Sequence, residues 1–562
     1  MTGDAKKAEG RRLLGQILKA QGVLKESQVQ ETLAEQKKRG GLFGQVAVQA
    51  GFASETQLAR ALAEQAGLQL VDLAAVQPEK AALALVDGST AHAFGVLPLR
   101  VEGKTLVVAV SDPMNTAVLE DLRFTAGVDV RAVLGEPKAL QALVQRCYGE
   151  EKGLEAAIRD AARATVGGDA ASAAASTPVV RLLNSILLRA IKDRASDVHF
   201  EVYDDAFRIR YRVDGSLYEV EAPPAHLALP LVARIKVMAD LDITETRMPQ
   251  DGRIEMAIDG RPVDLRVATI PGISGEGCVM RVLDRTAVAL DLAVLGLQAQ
   301  DESALRRLTQ LPHGIVLVTG PTGSGKTTTL YAMLQAANDP ETKIITAEDP
   351  VEYEIEGIVQ VPINEEIGVT YARVLRTMLR QDPDKILIGE IRDAETASVA
   401  VEASLTGHTV FSTLHTNDAP STVTRLVDMG VEPFMITATL EAVVAQRLLR
   451  TVCADCRTSY KPTAELLLEL GADAARLSES VFYYGKGCPK CFHTGYRGRT
   501  GVFEILVMND GLRSAVLAQA STQELREAAR RAGMRTLREA AVEALLAGRT
   551  TIEEVLRETA GQ

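Results

Sequence analysis

A short glycine-rich segment constrains the fold of this chain more than any other feature. Residues 320–327 read Gly-Pro-Thr-Gly-Ser-Gly-Lys-Thr, follow the apolar run 315–318 and precede the helix-like stretch 328–337. A strand that leads into such a turn, with a helix directly after it, directs backbone N–H groups and the positive end of the helix at an anion. A chance cluster of glycines is the alternative, but it requires neither the strand nor the helix. The order of elements therefore predicts an α/β fold with a nucleoside triphosphate site.

The residue types in this loop match the chemistry of such a site. Lys326 is expected to reach the β- and γ-phosphates, and Thr327 is expected to bind Mg²⁺ through its hydroxyl. The predicted ATP-binding residues are Gly320, Pro321, Thr322, Gly323, Ser324, Gly325, Lys326, Thr327 and Thr328.

Carboxylates follow two other apolar runs. Glu348 and Glu352 come after the run 343–347, and Glu390 comes after the run 385–389. A carboxylate at a strand end beside a triphosphate can polarise the attacking water or hold Mg²⁺. A helix cap could explain either acid alone, whereas both together after the glycine loop favour nucleotide hydrolysis.

Composition excludes several other classes of function. The length of 562 residues is enough for about four domains. A net charge of −12, 4% aromatic residues and no tryptophan disfavour a general nucleic-acid-binding surface and a base-stacking platform. The N-terminus lacks the apolar stretch of a signal peptide, and no apolar run reaches the roughly 18 residues of a membrane span. We therefore expect a cytoplasmic protein.

Four of the six cysteines form two C-x-x-C pairs. Two thiolate pairs of this kind supply four tetrahedral ligands, and a reducing cytoplasm disfavours disulfides. The spacing predicts a structural zinc site, with a redox dithiol or unpaired structural cysteines as the alternatives. The predicted ligands are Cys453, Cys456, Cys488 and Cys491.

The N-terminal part repeats itself, and a linker separates it from an arginine-rich region. Leu14-Gly15 and the residues after it recur 29 positions later from Phe43-Gly44, which predicts two helical hairpins. Residues 166–178 are almost entirely small or polar, as in a flexible linker. In the strand-rich stretch after it, three alternating arginines share one face, which is either a solvated face or a contact with phosphate of another subunit. These arginines are Arg208, Arg210 and Arg212.

Several motifs together resemble the type II secretion and type IV pilus assembly ATPases. The resemblance covers about residues 179–562. Its motifs are the glycine loop, Glu-Asp-Pro-Val-Glu at 348–352, Arg-Gln-Asp-Pro-Asp at 380–384, Gly-Glu-Ile-Arg-Asp at 389–393, Thr-Gly-His at 406–408, Thr-Leu-His-Thr-Asn at 413–417, both cysteine pairs and Gly-Tyr-Arg-Gly-Arg-Thr at 495–500.

The resemblance implies a domain architecture. It implies a RecA-like P-loop NTPase C-terminal domain, a sheet-rich, PAS-like N-terminal half, a zinc-binding C-terminal subdomain and assembly into a hexameric ring. With the N-terminal regions added, the predicted domains are the helical repeat at 1–68, a small α/β domain at 69–150, the flexible linker at 151–178, the sheet-rich domain at 179–290, the ATPase core at 291–450, the zinc subdomain at 451–500 and a helical region at 501–562.

The resemblance also implies roles for individual residues. Glu352 would be the general base, and Glu390 would be the Walker B acid that holds Mg²⁺ together with Thr327. Arg210 would reach the γ-phosphate of a neighbouring protomer. His408 and His415 would belong to a His box, although the residues alone leave open whether they contact phosphate or only satisfy local hydrogen bonds. Further arginines fall in segments where the family uses arginine at or near the site: Arg376, Arg380, Arg392, Arg425 and Arg497.

The implied function is a hexameric ATPase that drives pseudopilus assembly for type II secretion, peripherally bound to an inner-membrane platform. Segments 403–408 and 497–504 resemble the secretion branch more than the pilus branch, and a pilus assembly ATPase is the alternative. A nucleic-acid-translocating motor and a nucleotide-switch scaffold are competing classes, and no nucleic-acid partner is expected.

The N-terminal repeat resembles tandem motifs that bind cyclic di-GMP in some family members. The family motif begins with arginine, whereas Leu13 and Leu42 stand at those positions, with Arg12 adjacent to the first. Docking to the platform is therefore the expected role of the repeat, with cyclic di-GMP as an alternative ligand.

Overall fold

The computed structural model divides the chain into two compact units, residues 1–288 and 289–562. None of the helices it describes is both long and apolar enough to cross a membrane. The described residues are 14–39, 43–73, 76–86, 88–111, 119, 122–123, 127–148, 154–164, 174, 176–220, 223–258, 261–284, 290–470 and 480–560.

The first unit begins with the predicted repeat. Each copy is a helical hairpin, and Gly22 and Gly51, with φ of 74° and 73°, turn the two hairpins in the same left-handed conformation. The buried cluster between the hairpins is formed by Ile17, Leu18, Leu24, Ala47, Ala53 and Ala61. The helices are α1 (Leu14–Ala20), α2 (Glu26–Arg39), α3 (Phe43–Gln49) and α4 (Glu55–Ala66). Leu13, Leu42 and Arg12 lie outside the described residues.

A three-stranded sheet follows the repeat. Its middle strand pairs with the first strand antiparallel and with the third strand parallel. The central strand is buried at nearly every position, so it forms the core of this small α/β region. The elements are α5 (Lys80–Leu83), α6 (Gly88–Phe94), β1 (Val96–Glu102), β2 (Thr105–Val110), β3 (Asp129–Leu134) and α7 (Pro137–Tyr148).

The range predicted as a flexible linker contains a helix. Helix α8 (Leu154–Ala164) buries Leu154, Ala157 and Ala161, an apolar spacing that suits one helical face. Most of the small-residue segment 166–178, on which the prediction of a linker rested, lies outside the described residues, which include 174 and 176–178 of it. The next helix, α9 (Thr177–Lys192), starts with Pro178 in its first turn and is mostly buried.

A six-stranded sheet with only antiparallel neighbours completes the first unit. Its strand order is β6-β5-β4-β9-β8-β7. Its elements are β4 (Asp197–Val202), β5 (Phe207–Val213), β6 (Ser216–Glu219), α10 (Ala228–Met238), β7 (Gln250–Ile258), β8 (Arg261–Gly272) and β9 (Gly275–Asp284).

The three alternating arginines of β5 each have an acidic partner on this sheet. Arg210 bonds to Glu201, while a nitrogen of Arg208 lies 3.8 Å from Glu219 and one of Arg212 lies 3.6 Å from Asp197. The same sheet therefore supplies anions for these cations.

The second unit is built on a seven-stranded sheet of order β12-β11-β13-β14-β10-β15-β18. All neighbouring strands are parallel except the last pair. The strands are β10 (Gly314–Thr319), β11 (Ile344–Glu348), β12 (Val359–Pro362), β13 (Lys385–Ile388), β14 (Thr409–Leu414), β15 (Leu440–Val452) and β18 (Tyr496–Val507).

Helices cover this sheet and form the C-terminal region. Buried aliphatic side chains dominate the two clusters that join helices to strands, as the small aromatic content requires. The helices are α11 (Ala299–Thr309), α12 (Lys326–Ala337), α13 (Tyr371–Met378), α14 (Ala394–Leu405), α15 (Ala419–Asp428), α16 (Pro433–Thr439), α17 (Ala464–Glu469), α18 (Asp510–Leu517), α19 (Thr522–Arg531), α20 (Leu537–Leu546) and α21 (Ile552–Glu558).

A small excursion separates the last two strands of the large sheet. It contains α17 and a two-stranded antiparallel ribbon of β16 (Arg457–Tyr460) and β17 (Phe482–Gly485).

Candidate functional site

The glycine loop follows the buried strand β10 and leads directly into α12. Gly320 has φ of 146° and Gly325 has φ of 89°. A Cβ atom at Gly320 would lie 2.5 Å from the Gln446 carbonyl oxygen, and one at Gly325 would lie 2.9 Å from Gln446 Nε2. Glycine is required at both positions because the loop rests on β15.

Polar residues of β15 support the loop, and the sequence motifs do not include them. Thr329 on α12 donates to Gln446 Oε1 at 2.7 Å, and Arg447 donates to Asn417 O at 3.0 Å. Arg447 is only 7% exposed, although arginine is rarely so buried. The available signal is a Gln-Arg pair inside the otherwise apolar run 442–449 of this strand.

Lys326 lies at the start of α12 with its ammonium group folded onto the loop. Its Nζ donates to Gly320 O at 2.9 Å and to Pro321 O at 3.1 Å. Burial lowers the pKa of Lys326, and the negative charge of Glu390 opposes that effect. The charge of Lys326 is thus held among carbonyl oxygens where the loop would surround a phosphate group.

One acid and one histidine predicted for the site, Glu390 and His415, meet at the carboxyl ends of the strands. Glu390 follows β13 and His415 follows β14, at the carboxyl ends where Gly320 follows β10. His415 Nε2 lies 3.4 Å from Glu390 Oε2, and Arg392 pairs with Glu390. Carboxyl ends of parallel strands are the usual place for a ligand in a sheet of this type.

The carboxylates of Glu348 and Glu352 have different surroundings. Glu348 is 4% exposed and accepts hydrogen bonds from Tyr331 Oη, from Thr346 Oγ1 at 2.5 Å and from Gln360 Nε2 at 3.1 Å. Glu352 is half-buried, and its backbone N–H donates to Tyr331 Oη at 3.2 Å. Glu348 is therefore committed to internal contacts.

Some residues predicted for the site make their contacts elsewhere. His408 precedes β14, at the opposite end of the strand from His415, and its Nδ1 lies 2.9 Å from Ala403 O. This contact fits the alternative in which His408 satisfies local hydrogen bonds.

The further arginines are spread over several elements. Arg376 pairs with Glu395 at 2.7 Å, and Arg380 donates to Arg376 O at 2.8 Å. Arg425 is exposed on α15. A nitrogen of Arg497 lies 3.9 Å from Asp455. Of this set, Arg392 is the member that contacts a predicted catalytic residue in the described structure.

The two cysteine pairs come together between β15 and β18. All four Sγ atoms lie within 4.8 Å of one another, and three of the pairs are 3.6, 3.8 and 3.9 Å apart. Tetrahedral coordination at a Zn–S distance of about 2.3 Å separates sulfur atoms by about 3.8 Å. The cysteines are free thiols, so their geometry fits a Cys₄ metal site. The ligand set is Cys453, Cys456, Cys488 and Cys491.

Two family models match this chain. The one described as type II/IV secretion system protein matches residues 172–557, and the one described as the MshEN domain matches residues 66–154. The first match contains the glycine loop, both acidic strand ends and the cysteine cluster.

Known proteins are similar over different parts of the chain. The type IV pilus assembly ATPase PilB of Myxococcus xanthus is 41% identical over 97% of this chain and 99% of its own length. The type II secretion system ATPase E of Vibrio cholerae is 50% identical over 68% of this chain and 75% of its own length. The solved structure of the Legionella pneumophila ATPase DotB superposes with a TM-score of 0.51 at 22% identity, covering 68% of this chain and 95% of that chain. This last similarity concerns the fold alone.

Proposed function

The chain belongs to the type II/IV secretion system protein family and is an ATP hydrolase, and we propose that it powers type II protein secretion by driving pseudopilus assembly. The observation that supports ATP hydrolysis is the meeting of Lys326, Glu390 and His415 at the carboxyl ends of the strands, beside the glycine loop. The 50% identity to a type II secretion ATPase supports the secretion branch.

Pilus assembly is the second candidate, and one observation favours it. Similarity to the pilus assembly ATPase extends over 97% of the chain and so includes the N-terminal unit, whereas similarity to the Vibrio secretion ATPase covers 68%. Identity is higher in the secretion comparison, and coverage is greater in the pilus comparison.

Deleting the gene in its own host separates the two candidates. A secretion ATPase predicts that exported proteins disappear from the culture medium while surface pili persist, and a pilus ATPase predicts the reverse. Complementation with the wild-type gene and with the Glu352→Gln variant shows whether hydrolysis is needed. Steady-state ATPase assays with and without DNA test the nucleic-acid motor, which predicts DNA stimulation.

Residues at the sheet edge divide the work of hydrolysis in this proposal. The loop amides and Lys326 bind the phosphates, and Glu352 takes the proton from the attacking water. Thr327 and Glu390 would hold Mg²⁺, which neutralises charge on the phosphate oxygens. His415 and Arg392, both in contact with the Glu390 carboxylate, keep that carboxylate oriented.

The remaining arginines are proposed to act within a ring. The large sheet, with its glycine loop after a central parallel strand, supports a RecA-like core. Assembly of this core into a homohexamer is part of the proposal. Arg210 then serves the nucleotide of a neighbouring protomer, since phosphoryl transfer places charge on three oxygens that an arginine can stabilise. The arginines assigned supporting roles are Arg376, Arg380, Arg392, Arg425 and Arg497.

The cysteine cluster is proposed to hold one structural zinc ion. The regular elements that the structure describes in residues 457–487 are a short ribbon and one short helix. This excursion has little hydrophobic core of its own, so a bound metal would hold its two ends together.

The helical repeat at 1–68 is proposed to dock on a platform protein at the inner membrane, which places the ATPase in the cytoplasm as a peripheral protein. Cyclic di-GMP remains the alternative ligand of the repeat, and the match to the MshEN domain, which covers residues 66–154, follows the repeat in the chain. Titration of the full chain with cyclic di-GMP, with cyclic di-AMP as the control, distinguishes a specific nucleotide site from docking alone.

A further inference from the structure

One buried hydroxyl group joins the helix after the glycine loop to the segment that carries Glu352. Tyr331 is 1% exposed and lies on α12, five residues after Lys326. Its hydroxyl donates to Glu348 at the end of β11 and accepts from the Glu352 N–H at 3.2 Å. We propose that Tyr331 is a positioning residue for hydrolysis, which holds Glu352 at the distance from the glycine loop that water activation needs.

The direction of these hydrogen bonds makes the arrangement specific. A tyrosine hydroxyl has a single proton, and an ionised carboxylate can only accept. The proton of Tyr331 is therefore committed to Glu348, and its oxygen lone pair is directed at the Glu352 N–H. Burial and the adjacent Glu348 raise the pKa of Tyr331, which keeps this proton on the ring oxygen.

The Glu348 carboxylate, which accepts the Tyr331 proton, is itself fixed by further hydrogen bonds. Thr346 Oγ1 donates to Glu348 at 2.5 Å, and Gln360 Nε2 donates to Glu348 at 3.1 Å and to Tyr353 O at 3.0 Å. The ring of Tyr331 also packs edge-on against the ring of Tyr353, with centroids 6.3 Å apart. These contacts fix both ends of the short segment 348–353.

These contacts couple the position of the bound nucleotide to the position of the proposed general base, Glu352. The start of α12 surrounds the phosphates, and Tyr331 lies on the same rigid helix, so the helix sets the position of the Glu352 backbone. Reactions of bound groups are sensitive to misplacement of about 1 Å, which costs roughly 100-fold in rate. Tyr331 acts through Glu352 and makes no contact with ATP in this scheme.

This inference rests on the proposed role of Glu352, and the test separates the two. In the full chain at saturating Mg-ATP, Tyr331→Phe is expected to lower kcat by about tenfold while KM for ATP stays within about twofold of wild type. The unfolding temperature and the affinity for a non-hydrolysable ATP analogue should remain near wild type. Tyr460→Phe, which removes a hydroxyl from β16 in the same unit, is the matched control and should leave kcat unchanged.

The double variant Tyr331→Phe/Glu352→Gln distinguishes a positioning role of Tyr331 from a purely structural one. If Tyr331 acts through Glu352, single-turnover hydrolysis by the double variant should equal that of Glu352→Gln, because the positioned group is already lost. A further loss in the double variant would overturn the proposal, as would a parallel loss of analogue affinity and thermal stability in Tyr331→Phe.

The remaining outcomes are also decisive. Wild-type kcat in Tyr331→Phe beside an inactive Glu352→Gln variant would overturn only the positioning role. Wild-type kcat in Glu352→Gln would remove the proposed base, and the positioning role with it. If Tyr331→Phe does not fold, Gln360→Ala is the second variant, because it removes the hydrogen bond from β12 that holds the Glu348 carboxylate. An unchanged kcat in Gln360→Ala counts against the proposal.

Discussion

Two carboxylates four residues apart, Glu348 and Glu352, have different surroundings. Glu348 accepts hydrogen bonds from three side-chain donors, whereas Glu352 lies half-buried in the segment after β11. A general base must accept a proton from a water molecule near the phosphate, so the carboxylate that already accepts three side-chain hydrogen bonds is the weaker candidate.

We predict that Glu352→Gln retains ATP binding and lowers kcat by about 100-fold or more, because no carboxylate then takes the proton from water. Steady-state hydrolysis and equilibrium binding of an ATP analogue measure the two effects separately. Glu390→Gln should also lose hydrolysis, because the proposed Mg²⁺ ligand is weakened. Full turnover in Glu352→Gln together with its loss in Glu348→Gln would assign the base to Glu348 instead.

Lys326 gives a second prediction for single residues, in which ATP binding is lost instead of retained. Lys326→Ala should weaken ATP binding by roughly 10- to 100-fold, the usual loss for a hydrogen bond to a charged partner. Lys343→Ala, on the strand edge away from the loop, is the control and should bind as wild type does. Isothermal titration with an ATP analogue measures both variants, and equal affinities for Lys326→Ala and wild type would contradict the assignment.

The limit of sequence reasoning is clear at the level of residues. The positions of Lys326 and Glu390 after apolar strands could be predicted from motif spacing, whereas His415 was expected near the site from the family resemblance. Gln446, Arg447 and Tyr331 could not be predicted, because their contacts join segments that are distant in the chain, such as Thr329 with Gln446. A local pattern carries no information about which strand will lie beneath the glycine loop.

At the scale of elements, the strand β15 combines two functions. Its middle supports the glycine loop through Gln446, and its end leads into Cys453. It pairs with β18 antiparallel along most of its length, so the cysteine excursion closes where these two strands separate. We therefore expect a loss of order in the excursion to disturb the pairing of β15 and β18 at the edge of the large sheet.

We predict that Cys453→Ser or Cys491→Ser lowers bound zinc from about one per chain to near zero and lowers the unfolding temperature. ATPase activity should fall as a consequence of this instability. Cys147→Ser, a lone cysteine on α7, is the control and should keep its zinc. Elemental analysis under reducing conditions without chelator is the measurement. Much less than one zinc per wild-type chain would revive the redox alternative.

The sequence predicted some elements better than others for a physical reason. The repeat of two helical hairpins follows from local apolar spacing and from glycines that adopt φ of 74° and 73°. The linker was predicted from composition, yet α8 forms within its range because alanine-rich segments with apolar residues on one face make good helices. The strand order of the large sheet depends on long-range pairing, which no local pattern encodes.

At the scale of the whole molecule, the arginine-rich strand β5 bears on how neighbouring protomers could share a site. Arg208, Arg210 and Arg212 all have carboxylate partners within their own sheet. Arg210 can therefore serve a neighbour only by leaving Glu201, at a cost that the stronger charge of a triphosphate would offset.

Mixing variants tests this exchange between protomers. Arg210→Ala and Glu352→Gln chains should each be inactive alone, yet their mixture should regain part of the wild-type rate. Some interfaces in mixed rings would then join an intact Arg210 to a site with an intact Glu352. Mixing Glu352→Gln with Lys326→Ala should not recover activity, because both changes disable the same site. The mixture is incubated at concentrations that allow subunit exchange, and ATPase activity is measured against the ratio of the two chains.

Arg208→Ala is the matched variant for this experiment, because it removes an arginine from the same face of β5 while leaving Arg210 in place. It should retain most of the activity without any mixing. A full rate in Arg210→Ala alone, or a wild-type rate that persists in dilute monomer, would rule out action between protomers. Recovery that follows the mixing ratio would instead establish that each site draws one arginine from the next chain in the ring.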